Sequence, residues 1–115
     1  MSGAGVHLNR KLILEQSVRL PDGAGGYTES WVQLGLLWGA IKAGNGREAN
    51  QDFLTVSRVP HRITVRAAPY GAPSRPKPEQ RFVEGTRIFR ILAVADLDED
   101  GRYLVCTATE EEVSS

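Results

Sequence analysis

The sequence predicts an all-β fold, a small single-domain β-barrel of about six antiparallel strands with one long loop. Three observations support this prediction. Hydrophobic residues alternate with polar ones along most of the chain, which is the period of a half-buried strand. Turns rich in Gly and Pro separate the alternating runs at short intervals, as in barrels and sandwiches. Outside the long loop, no stretch shows the period of a helix.

The first two strands are predicted on either side of a glycine-rich turn. The run "KLILEQSVRL" at 11–20 places its leucines on one face and most of its charged residues on the other. The segment "PDGAGGY" at 21–27 predicts the turn. The run "TESWVQLGLLWGAIKA" at 28–43 predicts the second strand, with Gly35 and Gly39 at positions suited to a bulge or bend.

The remaining strands follow the same logic. The run "HRITVRA" at 61–67 alternates, with Ile63 and Val65 facing inward. The proline-rich "PYGAPSRPKP" that follows predicts an extended connection. After it come "RFVEGTRIFRILAVADL" at 81–97, which predicts two strands around a Glu84–Gly85 turn, the "DEDG" turn at 98–101, and the last strand "RYLVCTATEE" at 102–111.

The length and composition predict one domain that spans residues 1–115. A chain of 115 residues with 41% hydrophobic residues has the commonest domain size. Residues 1–7 and 111–115 are predicted to be flexible, and residues 44–59 to form the long loop. The chain starts without the pattern of a signal peptide and contains no apolar run long enough to span a membrane. We therefore expect a soluble protein, made in the cytoplasm, with no membrane partner.

The charges balance over the whole chain but are unevenly distributed. There are 14 basic and 14 acidic residues. Residues 47–90 hold nine basic and four acidic side chains, whereas residues 91–115 hold one basic and seven acidic. Such asymmetry suits a protein that meets different neighbours on different sides, although solvated loops also produce it.

No catalytic, cofactor or metal site is predicted, and the chain is not predicted to be an enzyme. His7 lies in the start of the chain and His61 lies beside Arg62. Neither has cysteine, histidine or carboxylate partners at the spacing of a metal site, so a structural or solvated role is favoured for His61. The lone Cys106 cannot form an intramolecular disulfide and is predicted to be a small core residue.

The aromatic residues argue against a single-strand nucleic-acid reader, which would stack bases on a basic, aromatic sheet face. Those assigned to the core are Trp31, Trp38, Phe82, Phe89 and Tyr103. The outward-facing arginines are expected without interleaved aromatic residues. These arginines are Arg62, Arg66, Arg87 and Arg90. They are consistent with a solvated face, a subunit contact or a phosphate-facing stripe.

The order of the motifs resembles that of the phage head–tail joining proteins, also called head-completion or stopper proteins. The motifs that carry this resemblance run from Leu8 to Glu110: "LNRKLILEQ", "GGYTESWVQL", "LWGAIKAGNGRE", "HRITVRA" and "RFVEGTRIFRILAVADLDEDGRYLVCTATE". The chain departs from the family pattern in "APYGAPSRPKPEQ" at 68–80, which is longer and richer in proline than expected, and in the residues that follow "GRE".

The resemblance implies a structural protein of the virion. A member of this family is a β-barrel protomer that assembles, in the bacterial cytoplasm, into a six- or twelve-fold homo-oligomeric ring of a phage or gene transfer agent-like particle. The ring lies below the portal and its adaptor, on the DNA exit channel. It closes the filled head and provides the docking surface for the tail terminator protein. No cofactor is implied.

Two sets of residues are candidates for contacts in such a ring. In these rings the long loop projects inward, and a repeated positive charge would add up beside non-specific double-stranded DNA; the candidate channel or gating residues are Asn45, Arg47, Asn50, Gln51 and Arg58. The alternative is that this loop docks on the adaptor. The candidate ring or neighbour contacts are Arg62, Arg66, Arg75, Lys77, Asp98 and Asp100.

Other functions remain open from the sequence. One is the neighbouring adaptor or a tail-completion ring, and the adaptor is expected to be helical. Another is a free-standing β-barrel that binds a small ligand or single-stranded nucleic acid, which predicts a lasting monomer with exposed aromatic residues on one face.

Deleting residues 46–57 and bridging the strands with a short Gly–Ser linker tests the gating prediction. Filled heads that join tails but lose their DNA to nuclease are expected if the loop closes the channel. The readouts are negative-stain microscopy and nuclease protection. Tailless particles that keep their DNA would instead make the loop a docking element, and wild-type particles would contradict both roles.

Overall fold

The computed structural model describes residues 7–44 and 60–111. All regular secondary structure within these residues is β-strand, in six strands. Their bounds are β1 (Arg10–Pro21), β2 (Tyr27–Ala43), β3 (Pro60–Arg66), β4 (Arg81–Glu84), β5 (Arg87–Asp96) and β6 (Tyr103–Glu111). Every pairing between them is antiparallel. The predicted fold class and the number of strands are therefore confirmed.

The strands form one closed sheet in the order β1-β2-β3-β6-β5-β4. Four of the pairings join consecutive strands, whereas β3 pairs with β6 across the intervening hairpin. The sheet closes where β4 returns to β1, and this seam is short. It consists of Ile13 opposite Val83, Leu14 opposite Phe82, and Glu15 opposite Arg81.

The core fills the inside of this closed sheet. Phe82 and Phe89 are its largest side chains, lie directly opposite each other on β4 and β5, and are fully buried. Burying a side chain of this size stabilises the fold by about 1.5–3 kcal/mol. The other fully buried hydrophobic residues are Leu12, Leu14, Ile63, Val65, Ile91, Leu104, Cys106 and Ala108. The inward positions predicted for β3 and for Cys106 are confirmed.

Two β-bulges change which alternate residues face inward. Leu34 is an extra residue in β2, because Leu14 pairs with Gly35 and the next residue of β1 pairs with Gln33. Leu92 is an extra residue in β5, because Ile91 pairs with Ala108 and Ala93 pairs with Thr107. The first bulge lies next to Gly35, where a bulge or bend was predicted.

Beyond the bulge at Leu34, β1 and β2 leave the barrel as a two-stranded ribbon, formed by residues 16–21 and 27–32. In this region each of the two strands pairs only with the other. Leu20 is therefore 51% exposed, although the alternation of the first strand placed it on the same face as the buried Leu12 and Leu14. That prediction is wrong for Leu20 because the strand extends beyond the core.

The proline-rich connection is compact and was wrongly predicted to be extended. The chain folds back in successive turns, in which the N–H of Ala72 donates to the carbonyl of Pro69 and the N–H of Arg75 donates to that of Ala72. Pro76 and Gln80 are buried. The backbones of Glu79 and Gln80 then hydrogen-bond to that of Ile91, which fastens the connection to β5.

The two predicted hairpin turns are confirmed. Gly85 has a φ of 61° and opens a two-residue loop between Glu84 and Arg87, a position that favours glycine. Gly101 has a φ of 70°. In the same turn, the carboxylate of Asp98 accepts a hydrogen bond from the N–H of Asp100, at 3.1 Å.

Replacing Gly39 by alanine is expected to destabilise the barrel. A Cβ at this position would lie 2.7 Å from Leu12 Cδ1, 3.0 Å from the carbonyl oxygen of Thr64 and 3.2 Å from Val65 Cγ1. Overpacking of this kind costs about 1–3 kcal/mol, which urea denaturation of Gly39→Ala would measure. Gly35→Ala is the matched control, since nothing lies within 4 Å of its added Cβ. Equal losses in the two variants would contradict this account.

Candidate functional site

A network of charged side chains lies at the end of the barrel where β2 ends and β3 begins. We call it the mouth network; its residues are Arg10, His61, Glu84, Arg87 and Glu110. Each of these residues lies at or near the end of a strand. Each also lies on the same face of its strand as a core residue, two positions away: Arg10 with Leu12, Glu84 with Phe82, and Glu110 with Ala108. The strands thus carry apolar side chains through the core and charged ones at this end.

The mouth network links four strands through two forked pairs. The Arg10 guanidinium donates to both carboxylate oxygens of Glu84, at 2.5 and 2.6 Å. The Arg87 guanidinium donates to both oxygens of Glu110, at 2.8 and 3.0 Å. The two pairs are joined by an ion pair between Arg87 and Glu84, with Nη1 and Oε1 3.7 Å apart. Forked arginine–carboxylate pairs are the geometrically specific form of ion pair.

The pairing shifts the acid–base properties of both carboxylates. The hydrogen bond from Arg10 holds the pKa of Glu84 below its ordinary value, and the hydrogen bond from Arg87 does the same for the pKa of Glu110. The carboxylates in turn raise the pKa of Arg10 and of Arg87. At neutral pH the two arginine–carboxylate pairs are therefore fully ionised.

His61 is the buried member of the mouth network and is 9% exposed. Its ring meets the Phe89 ring edge to face, with the centroids 5.3 Å apart. Its Nε2 is 3.9 Å from Glu110 Oε1, and its Nδ1 is buried without a hydrogen-bond partner. The structure thus places His61 in a packed, structural position. Across residues 7–44 and 60–111, no group of three or more His, Cys, Asp or Glu side chains is placed to hold a metal ion.

A second cluster lies on the outer surface, around Trp31 at the base of the ribbon. The Arg81 guanidinium carbon lies 3.9 Å from the centre of the Trp31 ring and that of Arg90 lies 5.9 Å away. Arg81 Nε also donates to Glu15 Oε1 at 2.8 Å, and Arg90 Nη2 donates to Glu79 Oε1 at 2.8 Å. This Trp31 cluster joins the ribbon to β4, to β5 and to the end of the proline-rich connection.

Three of the five aromatic residues predicted in the core lie elsewhere. Trp31 stacks with arginines outside the barrel, Trp38 is 52% exposed, and Tyr103 has the Arg66 guanidinium carbon 5.9 Å from its ring centre. Of the five, only Phe82 and Phe89 lie in the core. The expectation that the outward arginines lack neighbouring aromatic residues is also wrong, because Arg66 and Arg90 both approach aromatic rings. The bulge at Leu34 explains why Trp31 lies outside the core, because it reverses the alternation of inward and outward side chains along β2.

The candidate channel residues fall outside the described part of the chain. They are Asn45, Arg47, Asn50, Gln51 and Arg58, and their role stays a prediction.

The six candidate neighbour contacts lie in three places. Arg62 and Arg66 are exposed on the outer face of β3, where Arg62 lies opposite Lys42. Asp98 and Asp100 are exposed in the β5–β6 turn. The other two belong to the proline-rich connection, where Lys77 is exposed and Arg75 is used within its own chain.

Arg75 contacts two parts of its own segment. Its Nη1 donates to the carbonyl of Ala68 at 2.7 Å, and its guanidinium carbon lies 3.9 Å from the centre of the Tyr70 ring. These contacts hold the turns together, which is a structural task that the sequence did not indicate.

Cys106 is fully buried, and burial raises the pKa of its thiol to about 12. Since the thiolate is the reactive form, this cysteine is inert at neutral pH.

Within the described residues there is no helix with the length and hydrophobicity needed to cross a membrane.

The comparisons with known proteins identify one family and a similar chain in a virion. The family described as phage head completion protein matches residues 5–111. A chain in the virion of a native gene transfer agent particle is 55% identical, with a TM-score of 0.76, and the match covers 94% of this chain and 98% of that one.

A second solved structure shares only the fold. It is the solution structure of a protein from Shigella flexneri 2a, at 17% identity and a TM-score of 0.70, with 98% of this chain and 100% of that one covered. No curated protein matches the sequence.

The mouth network predicts that acid destabilises the fold. Folding lowers the pKa of Glu84 and Glu110 below the ordinary value of 4.5, so the unfolded chain takes up protons first as the pH falls. The stabilisation that the two ionised carboxylates provide is therefore complete above about pH 4.5. It is lost as the pH falls through the lower pKa values that Glu84 and Glu110 have in the folded chain. Urea denaturation between pH 7 and pH 3 is expected to show this decline.

Glu84→Gln is expected to reduce the dependence on acid and to lower the free energy of unfolding at pH 7 by about 1 kcal/mol, a modest loss because solvent screens the partly exposed pair. Glu99→Gln, in the exposed β5–β6 turn, is the control with the same chemical change. An unchanged pH dependence in Glu84→Gln would show that the network does not contribute to stability.

Proposed function

The chain belongs to the phage head completion protein family, and from this premise we propose that it is the stopper between the head and the tail of a phage-like particle. In this role copies of the chain form a ring on the DNA exit channel, below the portal and its adaptor. The ring keeps the packaged double-stranded DNA in the head and presents a docking surface to the tail terminator.

The proposal rests on similarity to virion proteins over nearly the whole chain. The family match spans residues 5–111, and nearly the whole chain aligns at 55% identity with a component of a gene transfer agent virion. A structural role in the virion, among other virion proteins, follows from these two matches. Gene transfer agents and phages share the need to seal a filled head, which is the task that we assign to this chain.

The architecture suits a building block that must keep its shape in a ring. A closed sheet leaves few backbone groups unpaired around the core, and the mouth network and the Trp31 cluster connect strands that are far apart in the sequence. The all-strand structure of the described residues also favours the stopper over the adaptor, for which a helical fold is expected.

The ionisable groups support a structural role rather than an enzymatic one. The carboxylates of the mouth network are engaged with arginines, so they are held ionised and do not act as proton donors at neutral pH. The thiol of Cys106 is buried with a raised pKa, which removes the nucleophilic form. We therefore propose a non-enzymatic protein without a cofactor.

Production of particles without this chain tests the proposal. Heads are expected to fill, because packaging precedes closure, but to lack tails and to lose their DNA to added nuclease. Negative-stain microscopy and quantification of nuclease-protected DNA are the two readouts, and complementation with the wild-type chain is the control. Tailless heads that keep their DNA would limit the role to docking. Empty heads before nuclease treatment, or wild-type particles, would contradict the proposal.

A further inference from the structure

The first of two unpartnered surfaces follows the free edge of β2. This strand pairs with β1 from Tyr27 to Gly39 but meets β3 only from Gly39 onward. One backbone edge of residues 27–38 therefore has no strand beside it among the described residues. Val32, Leu36 and Trp38 expose 46–52% of their surface here. We call this edge and these side chains the β2 surface.

A free edge flanked by apolar residues is a site at which chains associate. Natural proteins normally shorten, cover or charge such an edge, because its backbone groups pair readily with another strand. The β2 surface is long, and its exposed residues include an indole. Such a feature indicates that the edge is covered in the assembled state.

The second surface follows the free edge of β5. Strand β5 pairs with β4 only from Arg87 to Arg90, so residues 92–96 have β6 on one side alone. Leu92 and Leu97 expose 52% and 42% of their surface at the two ends of this stretch. We call this the β5 surface. It too combines unpaired backbone with exposed apolar side chains.

The flanks of the two surfaces differ in charge. Two basic residues lie beside Trp38: Lys11 is opposite it on β1, and Arg66 follows Val65, the β3 partner of Gly39. The one charged residue within 27–38 is Glu29, at the far end of the β2 surface. Strand β3 itself, "PHRITVR", contains no carboxylate. The β5 surface instead leads into an exposed acidic turn, formed by Asp96, Asp98, Glu99 and Asp100.

We propose that the β2 surface of one copy of this chain packs against the β5 surface of the next copy. This inference rests on the proposed function, and it names the two faces through which the ring would be built. The free edges face each other, Leu36 and Trp38 meet Leu92 and Leu97, and the basic side chains face the acidic turn. The contact is heterologous, because it joins two different patches of the same chain.

The charges favour a head-to-tail contact over a two-fold contact through either surface. Two β2 surfaces that met around Trp38 would bring Lys11 and Arg66 of both copies together, and two β5 surfaces would bring two acidic turns together. Like charges that meet in an interface are unfavourable and act against the wrong partner. A head-to-tail contact satisfies both surfaces at once, and it closes into a ring when the rotation per subunit divides the circle.

Cysteine cross-linking in assembled particles tests this pairing. Two tagged forms of the chain, Leu36→Cys and Leu92→Cys, are produced together in cells that make particles, and the particles are oxidised. The buried Cys106 does not interfere, because its thiol is inaccessible and has a raised pKa. A cross-linked dimer that carries both tags is expected only when both variants are present. A single chain with both substitutions is expected to give a ladder of covalent oligomers.

The outcomes separate this inference from the proposed function. Dimers from Leu36→Cys or Leu92→Cys alone would show a two-fold contact and overturn the heterologous pairing. Particles that contain the chain at the head–tail junction, as shown by gold labelling of its tag, but yield no cross-link would overturn the pairing and leave the stopper role intact. Particles without the chain at that junction would overturn the stopper role itself.

Charge reversal provides a second readout. Arg66→Glu and Asp98→Lys are each expected to reduce the yield of cross-linked dimer about fivefold, since each places like charges across the contact. A chain with both substitutions restores opposite charges and is expected to recover most of the yield. Lys42→Glu, which makes the same change of charge as Arg66→Glu at an exposed position outside both surfaces, is the control. Equal losses in Lys42→Glu, or no recovery in the double variant, would contradict the assignment.

Discussion

The closure of the sheet between β4 and β1 is the constraint on which the rest of the structure depends. Only three residue pairs form this seam, yet they place Phe82 beside Leu14 and so complete the wall around the core. On either side of the seam the chain adds contacts between the same elements. The mouth network links Arg10 to Glu84 at one end, and the Trp31 cluster links Glu15 to Arg81 at the other. A short ladder of backbone hydrogen bonds is thus reinforced by side chains on both faces.

These ion pairs specify the closed form more than they stabilise it. Partly exposed pairs contribute little free energy, because solvent screens them and because ordering long side chains costs entropy. The fork geometry of the Arg10–Glu84 pair, however, requires one register between β1 and β4. A slip by one residue would exchange the buried and exposed faces of a strand. The apolar core and the charged ends therefore agree on a single arrangement.

The elements of the fold could be read from the sequence, whereas the positions of several aromatic residues could not. Alternation and turn residues are local signals, and they located all six strands and both hairpin turns correctly. Gly35 marked a site suited to a bulge in β2, but it did not show which residue is inserted, and the bulge at Leu92 has no local signal. Each bulge reverses the alternation of its strand. This reversal moved Trp31 out of the predicted core. The partners in the mouth network depend on the register between distant strands, which one sequence does not state.

The ribbon is an arm that projects from the barrel and amplifies its rotation. Its two strands extend six residue pairs beyond Glu15, a length of about 20 Å at the rise of an extended strand. The Trp31 cluster clamps the base of this arm to β4 and β5, so the arm and the barrel turn together. A tilt of the barrel by about 10° would carry the tip through about 3–4 Å over such a length. Small rotations of the barrel are therefore magnified at the ribbon tip.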